Sequence, residues 1–142
     1  MKELAWERMM IGIICATGAE FALASTVEYV KQRKAFGKPV SAFQNTRFKL
    51  AEMRSEVQIA RTFVDQCMQL VLKNELSIEA ACTVKYWVSD LACKVVDECL
   101  QLHGGYGYMM EYPIARAYLD MRPNRIYGGT NEIMKELISR TI

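Results

Sequence analysis

Leu50, Met53, Val57, Ala60, Val64, Cys67 and Val71 recur at alternating spacings of three and four residues, a period that a helix turns into one continuous face. Such a seam has to be covered by other helices, so it commits the surrounding chain to a bundle. The pattern predicts a helix from Gln44 to about Leu72. A second seam, Ala81, Val84, Val88, Leu91, Val95, Cys99 and Leu102, follows a turn at Asn74-Glu75. Ser77 suits the N-cap of that helix, Glu79 suits its first turn, and Gly104-Gly105 is where a residue of positive φ is expected to end it.

Ahead of both, Lys2 to about Gln32 reads as one helix, on the order of 45 Å long at ~1.5 Å per residue. Its small residues Gly12, Ala16, Gly18, Ala19, Ala22 and Ala24 let neighbouring helices come close. Gly37-Lys38-Pro39 breaks helical continuity, and no alternating strand pattern of useful length occurs. Pro113 opens a short helix to about Asp120, with Arg116 and Asp120 spaced as an i,i+4 ion pair. Thr130 caps a last helix, Asn131 to Arg140. The expected fold is all-α: one antiparallel up-and-down bundle over residues 1–142, with three long helices and two short C-terminal ones.

The 142 residues carry a net charge of +2, with Lys and Arg scattered among acids, so no basic stripe for nucleic acid stands out. The uncharged run Met9 to Ala19 is shorter than the ~18 residues of a membrane span, and charges crowd the first eight positions, so neither a span nor a signal peptide is expected. Cys15, Cys67, Cys82, Cys93 and Cys99 form no CxxC pair and read as small buried hydrophobes in a reducing compartment. With His103 as the single histidine, no metal site is expected. The expected location is the cytoplasm.

Three polar, glycine-bearing junctions are not explained by bundle physics alone. They are Arg33-Lys34-Ala35-Phe36-Gly37 with Gln44, then Gln101-Leu102-His103-Gly104-Gly105-Tyr106-Gly107, then Tyr127-Gly128-Gly129-Thr130-Asn131-Glu132. A helix end needs one glycine, whereas extra glycines permit close backbone approach of a ligand. Each junction singly is as readily a turn or cap; together they form a sharper signal.

RKAFGKPVSAFQ, QLHGGYGY and IYGGTNEIM, in this order, with Glu7-Arg8, Ala115-Arg116 and Asp120, resemble the C-terminal signature of the flavin-dependent acyl-CoA dehydrogenases. The resemblance implies that an N-terminal helical domain and a small β-domain precede this one. It implies FAD as cofactor: Arg33 at the diphosphate, Phe36 and Gln44 at the adenosine half, and the loop Gln101, Leu102, His103, Gly104 and Gly105 approaching it from a neighbouring subunit. Thr130, Asn131 and Glu132 lie at a helix N-terminus, which favours anionic groups. Arg8, Tyr127, Gly128 and Gly129 would border the acyl-CoA substrate. A homo-oligomer, dimer or tetramer, and an electron-transferring flavoprotein as acceptor are implied as partners, in a bacterial cytoplasm or a mitochondrial matrix.

Many family members carry their catalytic glutamate where this chain has Gly128, and glycine takes no proton. The long-chain and isovaleryl-type subset places it on the first helix, before an arginine, which Glu7-Arg8 matches. Without the resemblance, Glu7 would read as a solvated first-turn residue. Two other readings stand beside this one: the isolated chain as a non-catalytic, self-associating bundle, and a nitroalkane oxidase or flavin-dependent hydroxylase of the same fold. Glu7 with an intact GGTNEIM weighs against the latter.

The apolar faces of the first two helices exceed what one small bundle covers, so this chain alone is expected to self-associate. Sedimentation at micromolar concentration tests this; a strictly monomeric species contradicts it.

Overall fold

The computed structural model describes the backbone of residues 2–142 and the side chains from residue 4 onward. Helix α1 spans Lys2–Gln32, α2 Gln44–Leu72, α3 Ile78–His103, α4 Pro113–Met121 and α5 Asn131–Ser139. The caps form as the sequence implies. Ser77 Oγ accepts from the Ala80 N–H at 3.0 Å, Pro113 stands in the first turn of α4, and Gly104 ends α3 with φ +58.

Cross-helix contacts set the directions. Arg8 meets Cys82 and Tyr29 meets His103, so α1 and α3 run the same way. Lys49 pairs with Glu98, and Lys94 with Glu56 at 2.6 Å, so α2 runs against α3. The result is the expected up-and-down bundle, with α3 at the centre touching every other helix.

Close approach of α1 and α3 depends on Gly12, where a Cβ would overlap Val84 Cγ1. Gly18 plays the same part against Met121, whose Sδ would lie 2.7 Å from a Cβ there. Met9, Cys15, Ala16, Ala19 and Ala22 are fully buried or nearly so beside Val84, Val88, Val95 and Val96. Over Leu4–Gln32, α1 is long and apolar enough to cross a membrane by length and composition alone, which the uncharged run Met9–Ala19 understates. The apolar content is that of a central helix with neighbours on several sides.

All five cysteines are free, and four of them are buried. Burial pushes the Cys15 thiol up to about 12 and the Cys99 thiol up to about 11, which makes both inert at neutral pH.

Two expectations are corrected. The break after α1 is a two-residue hairpin rather than plain loop: β1 (Lys34–Ala35) pairs antiparallel with β2 (Lys38–Pro39). Phe36 (φ +51) and Gly37 (φ +80) form the tight turn that such a short loop requires. Arg116 makes no ion pair with Asp120; its Nη1 donates to the Met110 carbonyl, tying α4 to the loop before it.

Gly12→Ala is expected to destabilise the domain by about 1–3 kcal/mol through overpacking. Adding Val84→Ala should restore much of that loss, because the two positions share one contact. Chemical denaturation of the four variants checks it; simple additivity would refute the shared contact.

Candidate functional site

The first two glycine junctions meet at one end of the bundle. Arg33, just beyond α1, faces Gln101 to Tyr106 across a cleft of about 580 Å³ that Tyr29, Val40 and Met109 also line. The Arg33 guanidinium lies over the Tyr106 ring, 5.2 Å from its centroid. A Cβ added to Gly104 or Gly105 would meet nothing within 4 Å, so this backbone borders open space that ligand atoms can enter.

His103 forms part of the cleft's floor. Its ring is buried, stacks on Tyr29 at 4.1 Å, and donates from Nδ1 to the Cys99 carbonyl at 2.8 Å. Any contact with a ligand from this residue is through the backbone. Phe36 and Gln44 do not line the cleft. Phe36 projects from the hairpin tip, 97 % exposed, and Gln44 is exposed at the start of α2. The positive φ of Phe36 serves the hairpin turn, and its ring, meeting only the edge of Phe43, is left open to solvent.

The third junction lies elsewhere. Gly129 and Asn131 contact Lys85, and the other cleft begins at His103, about 27 Å further along α3 at ~1.5 Å per residue. Here the turn Tyr127–Thr130 faces the first half of α1. A Cβ on Gly128 would come within 2.5 Å of Ile11 Cδ1. Glu7, Ile11 and Cys15 follow at intervals of four, so they share one face of α1. Glu7 is exposed and sits one helical turn from the point where Gly128 touches α1. Burial, and then the nearby Cys15, push the Tyr127 phenol above its ordinary range; its hydroxyl donates to Asn124 Oδ1.

The other predicted residues make contacts within the bundle. Arg8 is buried, donates to Cys82 Sγ at 3.4 Å and leaves its Nε without a partner, so it turns away from the surface that Glu7 faces. Asn131 is wholly engaged inside the bundle: Oδ1 accepts from Lys85 at 2.7 Å, and Nδ2 donates to Asp90 Oδ1 and Ser89 Oγ, each at 2.9 Å. Thr130 caps α5 through the Ile133 N–H at 3.4 Å. Glu132 is held below the usual carboxylate range by its own backbone N–H and the Thr130 hydroxyl. The start of α5 is therefore partly occupied by its own side chains. Glu20, another acid of α1, is locked in a two-pronged pair with Arg61 at 2.7 and 2.6 Å, which removes it as a free base.

Sequence reasoning missed Lys85, which is 0 % exposed and donates to the Gly129 carbonyl at 2.6 Å. The signal was available: a lysine four residues after Ala81 and four before Ser89, on the apolar face of α3.

Burial holds the His103 imidazole below its ordinary 6.5, so below that pH the unfolded chain binds a proton that the folded one resists. Stability is full above 6.5 and falls as pH drops toward the lowered value. His103→Gln should lose less of its urea midpoint between about pH 7.5 and about pH 5.5 than the parent does. An equal loss in both would show that His103 is not responsible.

The acyl-CoA dehydrogenase C-terminal domain model matches residues 1–142. The chain is 53 % identical over 142 residues to the mitochondrial long-chain specific acyl-CoA dehydrogenase of Sus scrofa, covering all of this chain and 33 % of that protein. An acyl-CoA dehydrogenase from Geobacillus kaustophilus superposes with a TM-score of 0.97 at 45 % identity, over 99 % of this chain and 37 % of that one. One from Bacillus anthracis, solved in complex with FAD, superposes at 0.93 with 30 % identity, over 99 % and 27 %. The chain thus spans about a third of the length of such relatives. With its whole length matched and its three junctions folded as described, this chain belongs to the acyl-CoA dehydrogenase C-terminal domain family.

Proposed function

We propose that this domain works within a longer flavoenzyme that removes the α-proton and the β-hydride of an acyl-CoA thioester, giving the trans-2-enoyl-CoA, and that Glu7 is the base. The observation that carries the reading is the contact of Gly128 with Ile11. It puts the position where other members carry their glutamate within one helical turn of Glu7. On this reading the two alternative carboxylate positions would serve the same reacting carbon. A thioester seated there would cover Glu7, exposed in this chain, and desolvation makes a carboxylate a stronger base.

FAD, when bound, supplies the acceptor for the hydride leaving the β-carbon. The donor set fits it: the forked guanidinium of Arg33 suits a diphosphate, and the open flank of Gly104 and Gly105 admits close backbone approach. Phe36 would lend its bare ring to the adenosine half, with Gln44 beside it. Thr130 and Glu132 lie at the other end of α3. One cofactor touching both ends would therefore draw them from two copies of the chain, which supports a homo-oligomer of at least two. Electrons would leave to an electron-transferring flavoprotein in a bacterial cytoplasm or a mitochondrial matrix.

In the full-length enzyme, Glu7→Gln keeps shape and hydrogen bonding but accepts no proton. Flavin should remain bound, while anaerobic bleaching by palmitoyl-CoA slows by at least ~10²-fold. Adding Gly128→Glu should return part of the rate, and more with Ile11→Val, because the new side chain must displace Ile11 from a backbone at φ +69. Wild-type bleaching in Glu7→Gln would remove Glu7 from the mechanism.

A further inference from the structure

Lys85 is the largest fully buried side chain in the bundle, and the reaction proposed above gives it no task. An ammonium ion in an apolar interior is costly, and a methionine would fill the same space without that cost. Its surroundings do not neutralise it by direct pairing. Both its partners are neutral oxygens, the Gly129 carbonyl at 2.6 Å and Asn131 Oδ1 at 2.7 Å.

We propose that Lys85 is the positioning residue of the Tyr127–Asn131 turn: its ammonium group clamps the Gly129 carbonyl and the Asn131 side chain, and so fixes where the Gly128 and Gly129 backbone stands opposite Glu7. The turn needs an outside clamp. Gly128 (φ +69) and Gly129 (φ +96) are adjacent glycines, the most permissive backbone in the chain, and they lie outside any regular element. Lys85 is the partner recorded for the Gly129 carbonyl among the described residues, and its bond is charge-assisted.

The far side of the clamp is anchored as well. Asn131 Nδ2 donates to Asp90 Oδ1 at 2.9 Å, and Asp90 pairs with Arg125 at 2.6 Å. Toward α5 the turn is stopped by Met134, whose Cε would lie 2.7 Å from a Cβ on Gly129. Lys85 thus holds the glycines from inside α3, Ile11 meets them from α1, and Met134 blocks them from α5. Burial lowers the Lys85 pKa, and the nearby Asp90 and Glu132 oppose that shift only in part.

The consequence for catalysis rests on the acyl-CoA reading, since a turn displaced by about 1 Å would spoil the reacting geometry and slow the step. Two measurements on the full-length holoenzyme separate the clamp from that reading. Crystal structures of wild type and Lys85→Met should show the Gly129 carbonyl displaced by about 1 Å or more, or in several positions, with α3 unmoved. Bleaching by palmitoyl-CoA, per bound flavin, should slow at least ~10-fold in Lys85→Met.

Lys85→Met with Asn131→Leu removes donor and side-chain acceptor together. It should recover melting temperature but not the bleaching rate, and it serves in place of the single variant if that one does not fold. A core-filling role predicts instead that rate returns with stability. An unmoved turn overturns the clamp, and a bleaching rate within about twofold of wild type overturns its catalytic part. If wild type bleaches with none of butyryl-, octanoyl- and palmitoyl-CoA, the acyl-CoA reading falls while the crystal structures still decide the clamp.

Discussion

Everything at the working ends of this bundle depends on how closely α1 lies against α3. Gly12 lets the two helices meet at Val84. The same approach seats Ile11 under Gly128, buries Arg8 against Cys82, and stacks Tyr29 on His103 at the far end. A methyl group inserted at the crossing would thus be felt both at the Gly128 turn and in the Arg33 cleft, because close-packed interiors transmit displacement instead of absorbing it. Helices α2, α4 and α5 are arranged around that pair.

The candidate sites lie near the bundle's ends, where the helical ladders run out and backbone groups become available. Glycine is the residue that keeps them accessible. Gly104 and Gly105 leave open space in front of the α3 terminus, whereas Gly128 and Gly129 are pressed between Ile11 and Met134. The same residue type thus serves as an opening in one place and as a thin spacer in the other.

Much of the fold was legible because it rests on period and punctuation. The alternating threes and fours of Leu50 to Val71 and the caps at Ser77, Gly104 and Thr130 each act locally, and each forms where the sequence implies. The hairpin at Lys34–Pro39 was not legible, since two residues per strand leave no alternation to read. The Arg116–Asp120 spacing misled because a carbonyl in a neighbouring loop competes for the guanidinium. At the candidate site, motif position does not say which way the side chains turn. Asn131, His103 and Arg8 all point inward, and that orientation depends on tertiary neighbours tens of residues away.

The Gly128–Gly129 turn and the Arg33 cleft are joined by an unbroken α-helix, and a helix couples length to rotation. Removing one residue between Ser89 and Gln101 would shorten the span by only ~1.5 Å, but it would swing one end by about 100° relative to the other. The clamp at Lys85 and the floor at His103 would no longer address the same side of the molecule. Change in this stretch is therefore confined to substitution, while insertions and deletions are left to the loops that flank it.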